Sequence, residues 1–333
     1  MKNYEFGSLV ISLDFELAWG VHDTRSLQQY GTNILGVRQA LPKMLDLFDK
    51  YQVKATFATV GMLFAESKEH LISHLPEKMP TYENLIHSPF RPEYFKNVGE
   101  NESRDLYHFA PSLIKLILDA QIHEIGSHTF SHFYCLEKGN DLVQFNADLI
   151  AAKAIASEWK IALKSMVFPR NQYSLKHLIK LKENGFTHYR GTEMSPIYAP
   201  LSRENEKLWR RAGRILDSYL NLTGTHTYTH EEIEKVSIIR KKNPQENLLN
   251  IPSSRFLRPF SQKLSFLSSL QIHRIHSAME DAAKRKAVFH LWWHPHNFGS
   301  NLSENLILLE KILEKYQFLN EKYGFESKTM CEF

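Results

Sequence analysis

The stretch His123-Glu124-Ile125-Gly126-Ser127-His128-Thr129-Phe130-Ser131-His132 decides how the chain is read. A short apolar run over 122–125 ends at Gly126, and two histidines four residues apart follow at once. A buried strand that delivers polar side chains at its C-terminal end is the unit from which an α/β barrel builds a site. The glycine is expected to turn the backbone sharply into that site. Helical spacing over 128–132 would set both imidazoles on one face.

Working outward, apolar runs rich in β-branched and aromatic residues at 9–13, 53–60, 166–168 and 288–292 read as further buried strands. Helical periodicity at 37–50, 112–120, 141–159, 174–184 and 271–286 separates them. Such alternation implies parallel strands. Weaker strand patterns at 187–190, 215–220 and 248–251 bring the expected fold to a distorted (β/α) barrel of seven or eight parallel strands, one domain over 1–333. Two stretches break the alternation and read as rim insertions: about 66–106, with Pro76, Pro80, Pro89 and Pro92, and about 191–250, which is polar and charge-rich.

Composition narrows the function. The chain has 333 residues, 43% of them hydrophobic, enough to bury a large core. The formal charge of +4 is small, and its Lys and Arg residues are scattered, so nucleic-acid binding is not indicated. Cys135 and Cys331 stand far apart without metal-binding spacing, so neither a thiolate zinc site nor a disulfide framework is indicated. The start of the chain lacks a secretory pattern, and no run is long enough for a membrane span, so a cytoplasmic protein is expected.

Ser12-Leu13-Asp14-Phe15-Glu16 closes the first strand. Residues two apart on an extended backbone point the same way, so Asp14 and Glu16 converge. Paired carboxylates repel unless a cation or a proton intervenes, and this is why such pairs mark metal and acid–base sites. Two imidazoles and one carboxylate hold zinc while leaving positions open for water and substrate. His226-Thr227-Tyr228-Thr229-His230 repeats the His-Thr-x-x-His form, but it precedes a charged helix rather than following a clear strand. Context therefore favours His128 and His132 over His226 and His230. Two later strand ends add Arg170-Asn171 and Trp292-Trp293-His294-Pro295-His296. An arginine there can pair with a carboxylate, and a histidine can protonate a departing nitrogen.

Together these segments resemble the polysaccharide deacetylases, carbohydrate esterase family four or NodB-homology family. Residues 123–132 look like the family's His-[Ser/Thr]-x-x-His motif with its approach strand. Ser12-Leu13-Asp14-Phe15-Glu16 is similar to the first motif, with Asp-x-Glu in place of the usual adjacent Asp-Asp. Phe168-Pro169-Arg170 is similar to the motif that supplies an arginine orienting the base, and Leu291-Trp292-Trp293-His294 to the one that supplies an acid histidine. The resemblance implies Asp14 as catalytic base, Glu16, His128 and His132 as ligands of a divalent metal, zinc above others, Arg170 as the orienting arginine, and His294 as general acid with His296 second. Trp19, Trp292 and Trp293 are placed to line a pocket.

The implied activity is removal of an N-acyl, usually N-acetyl, group from a sugar. A cytoplasmic location points to a precursor of cell-surface polysaccharide or O-antigen as substrate. A deformylase or other amidohydrolase would use the same metal chemistry. A glycoside hydrolase would use the two carboxylates without metal.

Overall fold

The computed structural model describes residues 5–238 and 247–333. Residues 239–246 of the expected second insertion, and the first four residues, lie outside the described residues.

Among the described residues, nine strands form one all-parallel sheet. They are β1 (Ser8–Phe15), β2 (Thr56–Thr59), β3 (Glu124–Ser127), β4 (Ser165–Val167), β5 (His188–Arg190), β6 (Leu249–Asn250), β7 (Arg255–Phe256), β8 (Val288–Trp293) and β9 (Glu326–Lys328). The order across the sheet is β6-β5-β4-β3-β2-β1-β8-β7, and β9 pairs with the first half of β1. The two edge strands, β6 and β7, are joined in the chain by residues 251–254 alone, so the sheet curls into a distorted barrel without a hydrogen-bonded seam between them. β1 is buried along its whole length and pairs with both β2 and β8, which places Asp14 at the centre of the C-terminal rim.

Helices Leu27–Lys50, Pro111–Asp119, Leu142–Glu158, Leu175–Glu183 and Ser268–Arg285 match the expected helical segments, and Leu302–Tyr323 adds a long one near the C-terminus. Three of them have a clear physical start: Ser26 and Asp141 cap two with full capping boxes, and Pro111 opens a third. The apolar faces of these helices pack with the sheet into one large buried cluster.

One expected strand is absent. Residues 215–217 end the helix Leu208–Asp217, and Ile215 and Leu216 are exposed. The apolar pattern there suggested a buried strand, but its side chains face outward. The first insertion folds as short helices, Lys68–Ser73 and Pro92–Phe95, tied to the barrel by Arg38, which binds Glu102 and the carbonyls of Leu106 and Phe109. Among the described residues, no helix is long and apolar enough to cross a membrane.

The helix Leu27–Lys50 meets the loop after β8 at a glycine–glycine contact. A Cβ on Gly36 would collide with the backbone of Gly299, and Asn33 hydrogen-bonds the His296 carbonyl at 3.3 Å. This contact sets the loop that carries His294 and His296. Gly36→Ala is expected to destabilise the protein by roughly 1–3 kcal/mol through overpacking, read as a lowered urea midpoint. An unchanged midpoint would contradict the tight approach.

Candidate metal-binding active site

Asp14 and Glu16 both reach the space above the C-terminal ends of β1, β3 and β8, and both are almost fully buried. His128 and His132 meet them there. The Nε2 atoms of His128 and His132 lie 3.3 and 3.0 Å from Glu16 Oε2, and their rings are 5.0 Å apart between centres.

The loop that presents the two histidines is not helical. His128 follows β3, its N–H bonded to the Thr59 carbonyl at 2.9 Å, and the chain then passes through left-handed conformations at Thr129 (φ 64°) and His132 (φ 57°). Asp148 holds the loop from below, accepting the Phe130 and Ser131 amides at 2.6 and 3.1 Å and the Ser131 hydroxyl. Burial pushes the Asp148 carboxyl up to about 6, partly offset by those donors. The expected role of Gly126 also changes: it lies within β3, and a Cβ there would stand 3.0 Å from the Ser165 carbonyl of β4. Its smallness lets two strands approach, while the turn falls on Thr129 and His132.

The donor set fits a cation. His128 Nδ1 donates to the Val167 carbonyl at 2.8 Å, which leaves Nε2 with its lone pair facing a carboxylate oxygen. Two acceptors opposed at 3.3 Å need a positive charge between them. His128 Nε2 and His132 Nδ1 have no hydrogen-bond partner although buried. The three ligand atoms all lie within 4.8 Å of one another. Burial raises the Glu16 carboxyl, but His294, His128 and His132 outweigh this and hold it well below the usual carboxylate range. Burial lowers the His132 imidazole.

Asp14 is clamped by an arginine that sequence reasoning did not single out. Arg190, the last residue of β5, is fully buried and binds Asp14 through two parallel bonds, Nη1 to Oδ1 at 2.7 Å and Nη2 to Oδ2 at 2.9 Å. Its guanidinium also donates to Ser12 Oγ and Asn171 Oδ1, and it lies 4.2 Å over the Trp292 ring. Burial pushes the Asp14 carboxyl up, and Arg190, with His128 and His294, outweighs that push and leaves it lowered. The signal was in the sequence: Arg190 ends an expected strand, the position from which barrel side chains enter a site.

Arg170 was expected in that role, but its side chain meets a different carboxylate. Arg170 and Asn171 both adopt left-handed backbone, and the turn sends the Arg170 side chain to Asp23 and onto the Tyr134 ring at 4.0 Å. Asn171, its neighbour, is the residue that reaches Arg190. Arg170 still lines the pocket, and Asp23 is held down at about 2 against its burial, chiefly by that guanidinium.

His294 Nε2 lies 3.6 Å from Glu16 Oε1 and 3.8 Å from Asp14 Oδ2, and its side chain stays 24% exposed. His296 stacks behind it at 4.9 Å and is buried, with burial pressing its imidazole down to about 3. Of the three expected tryptophans only Trp292 lines the pocket, since Trp19 and Trp293 are fully buried in the core. His226 bonds Thr223 at 2.7 Å, and among the described residues neither it nor His230 joins a carboxylate in a ligand cluster. The pocket holds about 350 Å³ and is walled by Tyr198, Phe256 and Trp292, with Glu193 and Arg258 on its polar side.

No curated protein matches the chain in sequence. Three solved structures share its fold across nearly its whole length. A protein of Mycobacterium smegmatis assigned to the polysaccharide deacetylases is 12% identical with a TM-score of 0.60, covering 100% of this chain and 90% of its own. The Puue allantoinase is 11% identical, with a TM-score of 0.56 and coverage of 100% and 90%. A protein of Pseudomonas aeruginosa PAO1, also assigned to the polysaccharide deacetylases, is 11% identical, with a TM-score of 0.53 and coverage of 98% and 87%. At these identities the likeness is one of fold. The family model for polysaccharide deacetylase matches residues 30–189, a span that holds β2 to β4 and both histidines of the ligand set. Over residues 30–189 the chain is similar in sequence to the polysaccharide deacetylases.

Proposed function

We propose that the protein is a metal-dependent hydrolase that removes an N-acyl group, usually N-acetyl, from a sugar or glycan precursor. The observation that carries this reading is the arginine-clamped Asp14 beside the buried Glu16–His128–His132 set, in one pocket of sugar size. Zinc suits two imidazoles and one carboxylate, and when bound it supplies a water of lowered pKa and an electrophile for the acyl carbonyl.

The remaining steps belong to the chain. Asp14, kept ionised and aimed by Arg190, takes the proton of the attacking water. His294, partly exposed and facing both carboxylates, donates a proton to the departing sugar nitrogen. His296 is less suited, because it lies behind His294 and does not line the pocket. Trp292 and Phe256 offer flat apolar walls against a sugar ring.

Metal analysis of the purified protein, together with acetate release from a panel of N-acetylated sugars, tests this reading. Bound metal and released acetate are expected, whereas hydrolysis of glycosidic bonds without metal would overturn it. His128→Ala is expected to lose metal and turnover together, and Asp14→Asn to keep metal while losing turnover. Full activity in the His128→Ala protein would refute the ligand assignment. Arg190→Lys keeps the charge but loses the two-pronged grip, and kcat is expected to fall about a hundredfold. Arg170→Lys should change kcat by no more than a few-fold, and the reverse ranking would return the orienting role to Arg170.

A further inference from the structure

The helix Leu208–Asp217 on the rim is built inside out. Its inward side chains are polar: Arg210 donates to the carbonyls of Pro196 and Ala199 at 2.8 and 2.7 Å, and Arg214 to that of Ile197 at 2.7 Å. Asp217 closes on Arg255 and Arg274 and is fully buried. The outward stripe follows helical spacing through Leu208, Ala212, Ile215 and Leu216, with Trp209 beside it, and all are exposed. Leu208 is 79% exposed, Trp209 60% and Leu216 53%. The next turn of chain adds Leu220 and Leu222, each half exposed. Apolar residues massed on the outer face of a helix whose polar face is satisfied inside mark a surface that something else covers.

Charge selects the cover. Lys207, which caps the helix, and Arg211 on it are exposed, and among the described residues no carboxylate pairs with either. The acids nearby are spoken for: Glu206 lies 3.2 Å from Arg214, and Asp217 is buried between two arginines. A symmetric contact between two copies would bring this uncompensated positive face against itself. An anionic bilayer complements it, since leucines and a tryptophan enter the headgroup boundary while lysine and arginine meet the lipid phosphates.

We infer that Leu208–Asp217 is an interfacial helix that seats the rim of the barrel on an anionic membrane surface. Arg214 and Ser218, on the other side of the same segment, line the catalytic pocket. The mouth of the pocket therefore lies beside the bilayer, and the substrate class that fits is an N-acyl sugar carried on a lipid. That last step rests on the deacetylase reading above, whereas the membrane contact stands without it.

Co-sedimentation of the full chain with vesicles of phosphatidylcholine alone, and of phosphatidylcholine mixed with phosphatidylglycerol, tests the inference. Binding to the phosphatidylglycerol vesicles is expected to exceed that to phosphatidylcholine by about tenfold or more, with weakening at high salt. The double substitution Leu208→Asp with Leu216→Asp should cut binding by about tenfold or more. Arg211→Glu should remove the preference for the anionic vesicles. None of these residues lines the pocket, so bound metal and hydrolysis of a water-soluble N-acetylated sugar should be unchanged in the variants, and a wild-type protein that binds vesicles but releases no acetate would count against the deacetylase reading only. Failure of the wild-type protein to bind phosphatidylglycerol vesicles, or equal binding by the double variant, would overturn the inference. So would a wild-type dimer in light scattering that the double variant splits into monomers, because the face would then belong to a second copy.

Discussion

Arg190 is buried completely, and its guanidinium crosses the inside of the sheet from β5 to grip Asp14 on β1. Removing two charges from water costs several kcal/mol for each ion, about as much as their attraction returns unless every remaining donor and lone pair is satisfied. The structure supplies those partners from around the barrel. Ser12 accepts one guanidinium bond and stands 2.8 Å from His290, whose other ring nitrogen bonds the Ile251 carbonyl, and Asn171 accepts another bond. Trp292 covers the guanidinium face. Strands β1, β5 and β8 and the loop after β4 are thus held at fixed spacing by one ion pair. The same contact braces the curled sheet across its interior and aims Asp14.

The Glu16–His128–His132 cluster depends on that frame. Glu16 stands two residues beyond Asp14, and its oxygens divide the histidines between them, Oε2 facing His128 and His132 and Oε1 facing His294 and His296. The family match over residues 30–189 takes in the first histidine pair but neither carboxylate, nor Arg190, nor the second histidine pair. Sheet order explains how one site draws on both: β1, the first strand, pairs with β2 on one side and with β8 on the other, so the start and end of the barrel meet at its centre.

Much of this was legible in the sequence because it is local. Strand ends are marked by apolar runs that stop at polar residues, and those stops placed Asp14, Glu16, His128 and His294 on one rim. What was not legible depends on distant partners or on backbone detail. Whether Arg170 or Arg190 meets Asp14 is decided by a left-handed turn at 170–171 that no spacing reveals. The pair His128 and His132 looks helical by count, yet it is presented by a loop that Asp148, on another element, holds in shape. The misread strand at 215–220 has the same origin, because an apolar pattern states which residues avoid water but not what covers them.

On the proposed reading, Glu16, His128 and His132 gather one metal ion beside the clamped Asp14. Anomalous diffraction at the zinc edge from crystals grown with zinc addresses it most directly. One strong peak is expected within bonding distance of Glu16 Oε2 and of both imidazoles, with Arg190 still on Asp14. No peak at this cluster, or a peak held only by His294 and His296, would contradict it.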